Sequence, residues 1–152
     1  MSAFVRGVRL GVDVGRVRVG VARCDPDAIL ATPLVTLARD LSGAVDPPAD
    51  IRALAALVEE HEAVAVVVGL PVNLAGKHGP AAQEVLGYAR QLGAAIDPID
   101  VQLSDERMST VVASRRLAER GVRGRRQRAV VDQAAAVEIL QSWLETLRRR
   151  TQ

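Results

Sequence analysis

The sequence predicts one α/β domain in which helices flank a central, mixed five-stranded sheet. Three strand-like runs come first, and two further strands then alternate with helical segments, in the order β-β-β-α-β-α-β-α-α. Strands joined by short turns pair antiparallel, whereas strands separated by helices pair in parallel. The 152 residues suffice for a sizeable hydrophobic core. No repeat or low-complexity segment divides residues 1–152, so a single domain is expected.

The first three predicted strands lie in the amino-terminal quarter of the chain. Residues 8–14, "VRLGVDV", and residues 18–24, "RVGVARC", alternate in polarity on either side of a turn at Gly15, as a hairpin does. Residues 28–37, "AILATPLVTL", form a third strand that contains Pro33. Proline cannot donate a ladder hydrogen bond, so this strand is expected at an edge of the sheet.

A polar, proline-containing loop at 39–50 precedes the first predicted helix. Asp50 is placed to cap a helix over 51–61, with leucines and a valine on one face. Residues 63–71, "AVAVVVGLP", are continuously apolar and end on Gly and Pro, which is typical of a buried parallel strand.

The remaining elements alternate in the same way. The sequence predicts, in order, a loop at 72–80, a helix over 81–92, a strand over 99–107, a helix from Ser109 or Thr110 to Arg120, a basic loop, and a last helix over 131–150.

Composition narrows the function classes. Aromatic residues are only 2% of the chain, which argues against recognition of bases by stacking. Cys24 is the single cysteine, so an internal disulfide and a cysteine zinc cluster are excluded, and a reducing, cytoplasmic setting is expected. No apolar run approaches the length of a membrane span.

Positive charge is clustered although the net charge is only +2. The segment 115–128, "RRLAERGVRGRRQR", carries seven arginines against the single acid Glu119. Guanidinium groups match phosphate geometry, which favours a phosphate-binding patch. The alternative, given equal weight, is that these arginines only form a solvent-exposed surface and bind no phosphate.

Acidic residues fall where the predicted elements end. Asp13 is at or near the end of the first strand, Asp105 and Glu106 follow a later strand, and Asp132 begins the last helix. Ligands of open α/β sheets bind beyond the carboxyl ends of strands, so these side chains are expected to converge there. Clustered carboxylates repel unless a cation neutralises them, and oxygen ligands favour Mg²⁺ or Mn²⁺. Two such ions activate water and stabilise the leaving oxygen of a phosphodiester.

Each acid also has a purely structural interpretation. Asp13 could bind backbone amides of its own turn, and Asp105 or Asp132 could only cap a helix. Glu106 could form an exposed ion pair with Arg107. The joint placement of the acids at element ends favours the metal site over these alternatives.

Four motifs resemble those of the YqgF/RuvX family of ribonuclease H-like proteins. They are "DVGRVRVG" (13–20), "VVGLPVNLAGKHGP" (67–80), "DERMST" (105–110) and "VDQAAAVEILQSWL" (131–144), and they occur in order over nearly the whole chain. The resemblance implies a ribonuclease H-like fold and a metal-dependent nuclease related to the RuvC Holliday junction resolvases. It further implies 5′-end processing of pre-16S rRNA, cleavage of branched DNA, or both.

The resemblance also implies the site residues. Asp13, Asp105 or its neighbour Glu106, and Asp132 are the expected catalytic and Mg²⁺- or Mn²⁺-binding carboxylates. The arginines expected to contact nucleic acid are Arg16, Arg18, Arg107, Arg123, Arg125, Arg126 and Arg128. Gln133 stands where the family commonly has a small hydroxyl residue. The expected partner is RNA or branched DNA, with no membrane, and the protein acts as a monomer or a homodimer.

Two other functions compete with the nuclease. An ATP-binding phosphotransferase shares the D-x-G turn, but that architecture needs two such domains around the nucleotide. A non-catalytic nucleic-acid-binding factor of ribosome assembly would keep the fold and bind RNA with a steep salt dependence, without metal.

Overall fold

The computed structural model describes residues 5–71, 79–105 and 125–151. The strands are β1 (Arg9–Val14), β2 (Arg18–Cys24), β3 (Ala31–Ala38), β4 (Ala65–Leu70) and β5 (Asp100–Asp105). The helices are α1 (Ala49–Glu60), α2 (Pro80–Ile96) and α3 (Arg125–Thr151). None of the helices in these ranges is both long enough and apolar enough to cross a bilayer.

The strands form one sheet in the order β3-β2-β1-β4-β5. β1 pairs antiparallel with β2, and β2 pairs antiparallel with β3. β1 pairs in parallel with β4, and β4 pairs in parallel with β5. This mixed sheet confirms the predicted ribonuclease H-like fold class. β3 is an edge strand, as Pro33 predicted, and the carboxyl ends of β1, β4 and β5 lie along one edge of the sheet.

Two separate apolar clusters cover the two faces of the sheet. On one face, side chains such as Leu10, Val12 and Val68 pack against α1 and α2. On the other face, small side chains such as Ala22 pack against Leu140 and its neighbours on α3. β4 is buried on both faces, which explains its continuous apolar sequence.

Two helix starts differ from the sequence prediction. The last helix begins at Arg125, inside the segment predicted to be a basic loop, so Asp132 lies about two turns into α3 and does not begin it. The first helix begins at Ala49 after Pro48, and Asp50 makes no capping bond. The predicted helix from Ser109 or Thr110 to Arg120 lies outside the described residues.

The Asp50 carboxylate instead joins three segments in the α1–α2 layer. Its Oδ1 accepts a bond from the Asp40 backbone N–H (3.0 Å), and its Oδ2 accepts one from the Tyr88 hydroxyl (2.7 Å). Asp50 and Tyr88 are both buried. Burial, reinforced by the bond to Asp50, raises the pKa of Tyr88 well above its usual range.

We expect Tyr88 to stay protonated until the protein unfolds in alkali. A raised native pKa adds stability that is complete below the unfolded tyrosine pKa of about 10 and is lost as pH rises above it. Tyr88 is the only tyrosine, so tyrosinate absorbance reports it alone. This absorbance should rise together with the loss of helical circular dichroism. Titration of folded protein near pH 10, as urea-unfolded protein titrates, would contradict the expectation.

Candidate functional site

Asp13 is the most deeply buried acid in the described part of the chain, at 1% exposure. It is the penultimate residue of β1. Because side chains alternate along a strand, Asp13 projects to the same face as Gly11, whereas Leu10 and Val12 enter the opposite cluster. A Cβ on Gly11 would lie 2.7 Å from Leu140 Cβ on α3. Asp13 therefore faces the α3 side of the sheet, at its carboxyl edge.

Asp132 reaches this face because α3 lies almost in contact with the backbone of β2. A Cβ placed on Gly20 would be 2.1 Å from the Asp132 carbonyl oxygen and 3.1 Å from its Cβ. Only a residue without a side chain leaves room for the helix there. Gly20 is also the Cα partner of Asp13 across the β1–β2 ladder, a separation of roughly 5 Å. The strand pairing and the helix contact thus make Asp13 and Asp132 neighbours.

One guanidinium binds the Asp132 carboxylate. Arg18 Nε donates to Asp132 Oδ2 at 2.8 Å, and the two side chains are 22% and 4% exposed. Arg18 lies two residues before Gly20 on β2, so it shares the α3-side face. Alternation with Val17 and Val19 predicts that Arg18 faces away from the core, but its side chain is only 22% exposed and is bonded to α3 at Asp132.

A second polar contact fixes the helix next to Asp132. Gln133 Nε2 donates to Thr36 Oγ1 on β3 at 3.0 Å. Thr36 is the Cα partner of Gly20 on the other side of β2. Gln133 therefore anchors α3 to the edge strand β3, beside the acidic pair of Asp13 and Asp132.

Asp105 lies at the same edge of the sheet but on a different face. It ends β5, where its Cα partner is Leu70. Leu70 belongs to the cluster under α1 and α2, and residues paired across a ladder project to the same face. Asp105 is exposed. By register, Ser104 shares the face of Asp13, and Asp105 does not.

The turn that follows Asp13 is held by Arg39. The Gly15 N–H donates to the Arg18 carbonyl (2.8 Å), and the Arg39 N–H donates to the Val17 carbonyl (2.9 Å). Arg39 Nη1 donates to the Gly15 carbonyl (3.2 Å) and to Glu84 Oε1 of α2 (2.8 Å). The Arg39 guanidinium also lies over the Tyr88 ring, 5.3 Å from its centroid. The β1–β2 turn is therefore tied to the α1–α2 layer.

The predicted nucleic-acid contacts are only partly described. Arg16 is exposed in the β1–β2 turn, beside the carboxyl edge. Several predicted site residues lie outside the described residues, namely Glu106, Arg107 and Arg123, together with the side chains of Arg125, Arg126 and Arg128.

The carboxylate oxygens of the acidic pair are the kind of ligand atom that a hard divalent cation prefers. Two buried carboxylates on one face supply oxygen ligands, and an uncompensated pair of buried anions is costly. Arg18 supplies one positive charge to this pair. Within residues 5–71, 79–105 and 125–151, no group of three or more His, Cys, Asp or Glu side chains is arranged to hold a metal.

Sequence reasoning missed three residues that position the site: Gly20, Thr36 and Arg39. The pairing of Gly20 with Asp13 requires a hairpin register centred between Arg16 and Val17, beyond the turn predicted at Gly15. The contact of Gly20 with α3 had no comparable signal, because it depends on where a distant helix packs. Arg39 was assigned to a loop by its polar surroundings.

We expect Gly20→Ala to destabilise the fold and to displace Asp132. The added methyl would meet backbone atoms of α3, which cannot rotate away, and such overpacking costs about 1–3 kcal/mol. The free energy of unfolding, measured in urea, tests this. The matched control is Gly87→Ala in α2, where the nearest heavy atom is 3.9 Å from the new Cβ. The control should raise the free energy of unfolding by about 0.5–1 kcal/mol, because alanine favours a helix over glycine. Equal effects of the two changes would disprove the close approach.

Comparison with known proteins identifies relatives over almost the full chain. A family model described as RuvX, Holliday junction resolvase, matches residues 7–146. A Rhodococcus erythropolis protein named "Putative pre-16S rRNA nuclease" is 54% identical over 140 residues, which cover 92% of this chain and 78% of that protein. A Mycobacterium ulcerans protein of the same name is 56% identical over 146 residues, which cover 96% and 82%.

Among solved structures, "T. thermophilus RuvC in complex with Holliday junction substrate" matches with a TM-score of 0.49 and 20% sequence identity. The match covers 95% of this chain and 97% of that chain. The residues matched by the family model include all five strands, the acidic pair and most of α3. The chain belongs to the RuvX family.

Proposed function

We propose that this protein is a divalent-metal-dependent nuclease that hydrolyses phosphodiester bonds in nucleic acid. The observation that carries the proposal is that Asp13 and Asp132 are both buried on the α3 side of the sheet, where Gly20 pairs with Asp13 and contacts the backbone of Asp132. The RuvX family description names a Holliday junction resolvase, and the relatives are named for pre-16S rRNA. The proposed substrates are therefore the 5′ end of pre-16S rRNA, branched DNA, or both.

In this proposal, Asp13 and Asp132 hold Mg²⁺ or Mn²⁺. When bound, such ions supply an activated water and stabilise the leaving oxygen of the cleaved bond. Asp13, on the central strand, is held by its pairing with Gly20 on β2, and the preceding Val12 pairs with Val68 on β4. Gly20 and Gln133 fix Asp132 by seating α3. Arg16, exposed in the adjoining turn, is positioned to hold a phosphate of the substrate.

A further carboxylate from the end of β5 is part of the proposal. Asp105 and Glu106 are its candidates, and the register of β5 bears on the choice. Asp105 shares a face with Leu70, away from Asp13, whereas Glu106 lies outside the described residues, so both stay candidates. Asp105→Asn and Glu106→Gln, assayed in parallel, decide between them.

The same fold could also serve a nucleic-acid-binding assembly factor without catalysis. The ion pair between Arg18 and Asp132 favours this second function, because it already compensates one of the two buried charges. Such a factor would bind RNA equally well with and without metal, and loss of Asp13 would not alter that binding. The cytoplasmic location and the choice between monomer and homodimer belong to the proposal as well.

We expect Asp13→Asn and Asp132→Asn to abolish cleavage and to leave the fold intact. Each change keeps the side-chain shape but removes the charge that holds a divalent ion. The measurement is a cleavage panel of single-stranded RNA, duplex DNA and a four-way junction with Mn²⁺, followed by the same panel in chelator.

The matched control is Asp100→Asn, an exposed aspartate at the opposite end of β5, which should cut like the wild type. Circular dichroism of each variant separates lost chemistry from lost folding. Undiminished cutting by Asp13→Asn would refute the nuclease mechanism. Metal-independent RNA binding without cutting by the wild type would favour the assembly factor.

A further inference from the structure

The bond between Arg18 and Asp132 has a consequence for the affinity of the proposed metal site. Asp132 Oδ2 accepts the Arg18 Nε–H at 2.8 Å, inside a layer where Asp132 itself is 3% exposed. A charge-assisted bond at this length is among the stronger hydrogen bonds of proteins. A divalent cation that binds the lone pair of Oδ2 used by Arg18 has to displace the guanidinium. A cation that binds another lone pair of the same carboxylate is repelled by the adjacent positive charge.

The position of Arg18 makes such an exchange possible. Arg18 begins β2 next to the turn, and its side chain is 22% exposed, so the guanidinium has a route to solvent. Asp132 has no comparable freedom. Its backbone is seated on Gly20, and the neighbouring Gln133 is bound to Thr36. The arginine is therefore the partner that can move.

We infer that Arg18 is a resident counter-ion that competes with the divalent cation for Asp132 and thereby sets the metal affinity of the site. This inference rests on the proposed function. It assigns Arg18 a positioning role that acts through Asp132, in place of the direct nucleic-acid contact expected from the sequence. Weak metal binding is then a property built into the β1–β2 hairpin.

The first test compares the Mn²⁺ affinity of two arginine variants. Arg18→Gln should bind Mn²⁺ about tenfold more tightly than the wild type, because a competing charge-assisted bond is gone. Arg16→Gln is the matched control, since it removes the same charge from an exposed position two residues away. The control should stay within about twofold of the wild type, because solvent and salt screen exposed charges. Electron paramagnetic resonance of unbound Mn²⁺ provides the measurement.

The second test uses the unmodified protein and does not depend on the folding of a variant. Nitrogen-15 NMR can observe the Arg18 Nε–H directly during titration with Mg²⁺. If the cation displaces the guanidinium, this resonance shifts at saturation and its proton exchanges faster with water. An Arg18 Nε–H that keeps its resonance and its slow exchange in saturating Mg²⁺ would overturn the inference.

The outcomes separate this inference from the proposed function. Mn²⁺ binding that Asp132→Asn weakens and Arg18→Gln tightens supports both. Binding that Asp132→Asn weakens but Arg18→Gln leaves unchanged or weakens overturns only the role of Arg18. Absence of Asp132-dependent Mn²⁺ binding in the wild type overturns the metal site and the inference together.

Discussion

The close approach of α3 to the sheet at Gly20 determines where the functional side chains lie. The helix backbone at Asp132 occupies the space in which any other residue would carry a Cβ. Gly11, on the neighbouring strand, makes similar room for Leu140. Two glycines on adjacent strands thus form a shallow groove in which one long helix is seated. Because Gly20 pairs with Asp13, the same contact that completes the core also brings the second carboxylate to the first.

This arrangement conflicts with the usual preferences of a hydrophobic core. Buried carboxylates cost free energy unless charges or hydrogen bonds compensate them. In this protein the two buried carboxylates lie at the carboxyl edge of the sheet, where ligands of open sheets commonly bind. One arginine compensates Asp132, and its contact is local and exchangeable. Elsewhere on the same face the described core is apolar, with alanines packed against Ile139, Leu140 and Leu144 of α3, apart from the buried Arg9 that lies over the Trp143 ring.

Sequence patterns predicted the strands because each depends on local alternation or burial. The hairpin of β1 and β2, the buried β4 and the edge position of Pro33 follow from residues near one another in the chain. The predicted start of α3 was wrong. Arginine is compatible with both a loop and a helix, so a basic segment does not mark the boundary between them. Asp50 was assigned a capping role that its position allows, but its partner Tyr88 comes from a different helix.

For the acidic pair, too, only what depends on residues close together in the chain could be predicted. The position of Asp13 near the end of β1 could be predicted, whereas the placement of Asp132 depends on a glycine that is distant in sequence. The face to which Asp105 projects could not be predicted, because it requires the register of β5 against β4. Alternation alone does not tell which of two consecutive acids faces the α3 side.

The tether at Arg39 limits how this edge of the sheet can adapt. The turn between β1 and β2 is bonded through Arg39 to α2 on one face, and the strand behind it is covered by α3 on the other. Because its main chain is bonded on one side and packed on the other, the hairpin is restrained against opening or closing around an incoming polyanion. The rotamers of long exposed side chains along its rim, such as Arg16, are the more adaptable part of this edge.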